Sequence, residues 1–223
     1  MTLDAFLREY GSDALAVAIS LAMVAAYYAA LVARSRRDPL STIHGVNQAA
    51  RTLWVEQVMA NPSRDVMAVQ TLRNFVMGAS LMASTAALLI VGTLTLSGQA
   101  EGISRTWHVF AGFGSGSAEI WIVKVLCLLA AFIVAFFAFA MAVRLANHVA
   151  FMINIAAKDV PPALAPRSVA RRLNRAGNHF AIGLRAFFFA VPLVFWLFGP
   201  AFLVAATAGL VVTLHRLDRS PVD

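Results

Sequence analysis

Cysteine is nearly missing: Cys127 is the only one in 223 residues. A lone thiol excludes an intramolecular disulfide and any cysteine-built zinc or iron-sulfur centre. Charge is scarce as well. Asp, Glu, Lys and Arg make up 13% of the chain and apolar residues 60%, whereas an ordinary soluble domain carries about 25% charge. A soluble globular protein is therefore excluded, and the bilayer is the solvent. The chemistry of a catalytic site is thin too. There are no paired carboxylates, no serine in an elbow motif and no acid-rich metal loop, so an enzyme would rest on His148 or His179 as its base. The histidines show neither HxxxH nor HxxE spacing, which leaves paired imidazoles on facing helices as the one route to haem or metal. No metal or cofactor is expected. Gly112-x-Gly114-x-Gly116 follows no strand and is not a nucleotide motif.

What the chain does have is long apolar runs. A spanning helix needs about 20 apolar residues, and four stretches qualify: Ala14 to Ala33, Phe75 to Leu96, Ile120 to Val143, and Ala186 to Leu214. The expected fold is all-α, an integral membrane four-helix bundle in a single domain. Asp4, Glu9 and Asp13 precede the first span where a signal peptide would be basic, so this span should stay as an anchor. Positive charges are sorted by loop. Arg34, Arg36, Arg37, Arg51, Arg64 and Arg73 fall between the first two spans, and Arg144, Lys158, Arg167, Arg171, Arg172, Arg175 and Arg185 between the last two. Only Arg8, Arg105, Lys124, Arg216 and Arg219 lie elsewhere. Lys and Arg are retained on the cytoplasmic side, so both charged loops are read as cytoplasmic in a multi-pass inner-membrane protein, with N-terminus and C-terminus outside (periplasmic). Basic residues that track the membrane boundary point to anionic lipid rather than nucleic acid.

Several helices should outrun the membrane. Asn61-Pro62 starts a helix with no breaker before Gly98, roughly 50 Å against a hydrocarbon core of about 30 Å. The third span continues through Arg144, Asn147 and His148 towards Pro161-Pro162, and Pro166 begins a helix that enters the fourth span. These are long cytoplasmic helix extensions. Residues 40–60 form an amphipathic helix, with Leu40, Ile43, Val46, Ala50, Leu53, Trp54 and Val58 at helical spacing. It either lies in the interface or against a partner, or packs on the three extensions. The segment from Ser97 to Ala118 is a glycine-rich outer loop. Trp107 and Trp121 fit an outer aromatic belt and Tyr27 with Tyr28 an inner one. Trp196 fits neither and belongs in a helix contact. Lys124 should snorkel outward; turned into the bundle it would mark an ion path. Pro192 and Gly199-Pro200 should kink the fourth span.

Three arginines near the inner boundary have polar, uncharged neighbours. Arg73 and Asn74 lie on the second spanning helix, Arg144, Asn147 and His148 on the third, and Asn178 and Arg185 on the fourth. Guanidinium groups short of carboxylate partners favour planar anions such as phosphate or carboxylate. These seven residues are the candidate anion- or headgroup-binding set. The plainer alternative is that the arginines snorkel to ordinary headgroups while the amides bond between helices.

The stretches Ala68-Val-Gln-Thr-Leu-Arg-Asn-Phe-Val-Met77, Arg144 through His148 to Asn154, and Leu173-Asn-Arg175 through Gly183-Leu-Arg-Ala-Phe187 to Trp196-Leu-Phe-Gly-Pro200 resemble a family of bacterial and plant membrane proteins known as domain of unknown function 599. The resemblance implies an integral membrane protein and supplies no reaction, substrate or cofactor. The function read from the chain is a non-enzymatic protein that binds an anion or lipid headgroup at its cytoplasmic face. Small-residue faces, Ala79, Ala83 and Ala87 with Ala131, Ala135, Ala138 and Ala142, suit close helix packing, and a homo-oligomer is expected because four spans are few to enclose a cavity. An ion channel or small-solute transporter is the alternative, and a haem-binding or other membrane enzyme the third class.

Overall fold

The computed structural model describes residues 3–98, 118–155 and 160–219. The glycine-rich loop, Trp107 and Lys158 lie outside the described residues. Six α-helices occur among those described: α1 (Leu3–Arg37), α2 (Ile43–Ala60), α3 (Asp65–Ser97), α4 (Ala118–Met152), α5 (Pro166–Phe198) and α6 (Pro200–Leu217). The turns before α2 and α3 follow from local chemistry. Asp38 accepts a hydrogen bond from the Leu40 amide at 2.9 Å, and Thr42 caps α2 by accepting from the Gly45 amide at 3.2 Å. Gly45 is required there, because a Cβ would run into the Pro39 carbonyl oxygen.

Five helices, not four, are long and apolar enough to cross a membrane: all but α2. The difference lies at Gly199. This residue takes φ 147° and ψ 163°, a conformation open essentially to glycine alone, and Pro200 begins the next helix. The last apolar block is therefore a helical hairpin rather than one kinked span. Leu214 and Leu217 return to the level of Leu184 and Phe188, where they line one cavity. Pro192 stays inside α5 without ending it. Asp218 and Arg219 meet the turn before α2: the Ile43 amide donates to the Asp218 carbonyl at 3.3 Å, and Thr42 and Arg219 form an antiparallel bridge. Leu3 and Arg219 consequently lie at opposite ends of the bundle.

α6 turns back along α1, and the two run side by side in the same direction. Asp13, Ala16, Ser20 and Tyr27 are buried on α1, and Pro200, Leu203, Thr207 and Leu214 on α6. Both sets follow the three-and-four spacing of a packed helix seam. The central pair is α4 with α5. Phe139, fully buried, stacks against Phe180 and Phe187 with centroids 5.4 Å away in each case. Gly183 makes room for it, since a Cβ there would lie 2.8 Å from the Phe139 ring. Of the small-residue faces, Ala79, Ala135, Ala138 and Ala142 are buried within the chain and Ala83, Ala87 and Ala131 are half-buried.

The end of the bundle that holds α2 has a core of its own. Val55, Val58 and Met59 of α2 pack with Ala68 and Leu72 of α3, Val149 of α4 and Ile153 just after it, and Val169 and Leu173 of α5. Of the apolar stripe expected on residues 40–60, only Val58 is buried in this core; Val46 and Trp54 are half-buried, Ile43, Ala50 and Leu53 are exposed, and Leu40 lies before α2 and is exposed too.

Candidate functional site

The end of the bundle that holds α2, called here the basic end, gathers charged groups around Asp218. Its carboxylate accepts hydrogen bonds from the Tyr27 hydroxyl and, at 2.9 Å, from Arg185. Arg185 also lies over the Tyr28 ring, 5.5 Å from its centroid. The α5–α6 hairpin makes this network possible, because it carries Asp218 back to residues from which it is 33 and 191 positions distant.

Beside Arg185 opens a cavity of about 350 Å³. Its polar wall comprises His44, Asn47, Arg51, Arg185 and Asp218, and its apolar wall includes Phe75, Phe180 and Phe188. Arg51 is held in place from α5. Its Nε donates to Asn174 Oδ1 at 2.8 Å, and Asn174 Nδ2 donates onward to Thr52 at 3.0 Å. The guanidinium lies on Gly177, where a Cβ would come within 2.7 Å of Arg51 Cζ. Fixed through one nitrogen, Arg51 bonds no carboxylate among the described residues; the ion pairs there are Arg185–Asp218 and Lys124–Asp13. Its remaining N–H groups are suited to a planar oxyanion. Partial burial, then the charges of Arg51 and Arg185, hold His44 below its usual range, while Asp218 pulls the other way. A second cavity, of about 530 Å³, lies across Asp218 and is lined by Tyr27, Arg34, Arg37, His215 and Arg219 among others.

The residues expected from the sequence to form the site lie on three helices, most of them at the surface. Arg73 and Asn74 are exposed on α3, where Arg73 lines a shallow hollow with Asp65, Gln70 and Asn154. Arg144, Asn147 and His148 are exposed on α4. Asn178 and His179 are half-buried on α5, and Asn178 Oδ1 is buried without a hydrogen-bond partner. Of the three arginines expected to converge, only Arg185 lines the cavity beside Asp218. Arg51, His44, Asn174, Tyr27 and Asp218 were not among the expected residues. Asp218 joins them only because α6 turns back at Gly199. Arg51 carried one usable signal, its place on the α2 face towards which a packed neighbour would lie.

At the far end, Lys124 is buried and bonded to Asp13 at 3.0 Å. It does not snorkel. Trp196 Nε1 donates to the same carboxylate oxygen at 2.7 Å, and the Lys124 ammonium lies 5.5 Å from the Trp196 ring centroid. Trp196 is in a helix contact, as expected, and Trp121 is buried rather than set at a surface belt.

A family model described as protein of unknown function, DUF599, matches residues 15–222. No curated protein and no solved structure matches the chain.

Proposed function

For this chain, which belongs to the DUF599 family, we propose a multi-pass membrane protein that binds a phosphate-bearing anion or lipid headgroup in the cavity between Arg51 and Arg185, as a binding protein and not as an enzyme. The observation that carries this reading is Arg51: a guanidinium held by Asn174, seated on a glycine, and facing a cavity with no carboxylate bonded to it. The phenylalanine wall beside it suits an acyl chain, and the arginine suits the phosphate. In a titration of the purified protein with dihexanoyl phosphatidic acid and with inorganic phosphate, Arg51→Ala should weaken binding about tenfold, the loss of one charge-assisted contact, while Arg73→Ala leaves it unchanged. Preference for the lipid over phosphate would identify a headgroup site, and equal binding a free-anion site. Unchanged affinity in Arg51→Ala would refute the reading.

The same titration has a pH dependence. A bound anion adds negative charge next to His44 and raises its pKa, so the complex takes up a proton that the free protein declines. Proton uptake by His44 therefore favours binding as pH falls through the histidine range, against the loss of charge on the phosphate itself, so wild-type affinity should gain relative to His44→Asn as pH falls.

The basic end is assigned to the cytoplasm, because the positive charges collect there. Arg216 and Arg219, at the end of α6, now join this side. The N-terminus then faces out and the C-terminus in. In a Cys127→Ala background, an impermeant maleimide added to intact cells should label Ser12→Cys and spare Ser41→Cys. The reverse pattern would invert the assignment.

A further inference from the structure

Among the described residues, Asp218 alone lines both cavities of the basic end. On the side of Arg51 it pairs with Arg185, and the Tyr27 hydroxyl donates to the same carboxylate oxygen, Oδ2. On the other side stand Arg34, Arg37 and Arg219. The carboxylate therefore sits between two basic surroundings.

An oxyanion seated on Arg51 shares its cavity with Arg185, whose guanidinium is already engaged by Asp218. Two negative groups at one cation repel each other. A phosphate is the stronger competitor, since its several oxygens accept from both arms of a guanidinium fork. The resident pair is also displaceable. Its side chains are 25% and 17% exposed, against 6% and 3% for Lys124–Asp13, and a partly solvated pair holds far less tightly than an enclosed one.

Asp218 is also a joint. It ends α6, its carbonyl accepts from the Ile43 amide at 3.3 Å, and its neighbour Arg219 bridges to Thr42, the cap of α2. These backbone contacts are few, so the grip of Arg185 and Tyr27 on the carboxylate steadies the joint. We propose that an anion in the Arg51–Arg185 cavity displaces Asp218 from Arg185 towards the second cavity, and that this release loosens the end of α6 from the start of α2. The inference rests on the anion reading of the cavity and adds a switch to it.

The test uses the full chain in detergent with dihexanoyl phosphatidic acid and, separately, inorganic phosphate. Asp218→Asn should bind either probe about fivefold more tightly, because the competing charge is gone. Tyr27→Phe, which keeps the ring and removes one hold on the carboxylate, should shift affinity the same way by about twofold. The joint is read by the oxidation rate of Thr42→Cys/Arg219→Cys in a Cys127→Ala background. A saturating probe should slow it about threefold, as should Asp218→Asn without any probe. Arg51→Ala should abolish the effect of the probe and leave that of Asp218→Asn. Unchanged or weaker binding by Asp218→Asn, or oxidation indifferent to a probe that binds, would overturn the switch and leave the anion site standing. If neither probe binds the parent protein, the anion reading falls and the switch with it.

Discussion

Lys124→Met is expected to destabilise the folded protein by about 3–5 kcal/mol, because it leaves the Asp13 carboxylate buried without its cation. Both side chains are almost wholly enclosed, at 6% and 3% exposure, so solvent offers little compensation. Trp196 would still donate to Asp13, and a neutral donor does not replace an ammonium at 3.0 Å. The double variant Asp13→Asn/Lys124→Met should recover most of the loss, since an amide oxygen still accepts from Trp196 and no buried charge is left. Unfolding titrations in mixed micelles of all three proteins give the coupling energy directly. A loss below about 1 kcal/mol in the single variant, the size of a solvated pair, would show that water reaches the bridge. The pair joins α1 to α4, and the main packing of α1 is along α6, so the variant should also loosen the first helix.

Gly199→Val should have the second largest effect. At φ 147° and ψ 163° a β-branched residue is strained by about 1–3 kcal/mol, and a residue before proline is held near φ of about −120°. Gly199 and Pro200 are buried, so the turn cannot easily relax into solvent. The distinguishing measurement is a cross-link. Thr42 and Arg219 form a bridge, and paired residues of that kind stand about 4.5–5.5 Å apart at Cα, within disulfide range. In a Cys127→Ala background, Thr42→Cys/Arg219→Cys should oxidise efficiently, and adding Gly199→Val should suppress the disulfide. Efficient oxidation in both would mean that the hairpin does not depend on this glycine.

These two sites also mark where sequence reading stopped. Lys124 stands a turn and a half inside α4, close enough to the boundary for its stem to reach water, and burial became its fate only because Asp13 and Trp196 arrive from helices 111 and 72 residues away in the chain. Gly199-Pro200 announces a broken helix in any reading. Whether the break is a kink or a reversal depends on where α6 finds a partner, and that partner is the seam of α1. The surface placement of Arg73 and Arg144 has a similar cause. Helical spacing places residues on a face of one helix, but the rotation of each helix about its axis is set by its neighbours. Arg73 and Arg144 turned outwards, while Arg51, on a helix read as amphipathic, turned onto Gly177.

Composition and periodicity alone determined that this is an all-helical chain with several apolar helices long enough for a membrane and with its basic residues sorted by segment. Those properties depend on hydrophobic length and charge, which each segment carries by itself. The tertiary structure decided the division of the last apolar block into α5 and α6, the return of Asp218 to Tyr27 and Arg185, the burial of the Lys124–Asp13 pair and the choice of Arg51 and Arg185 as the arginines that face a cavity. Each of these depends on which helices meet, and a contact between distant segments leaves no trace in the pattern of either one.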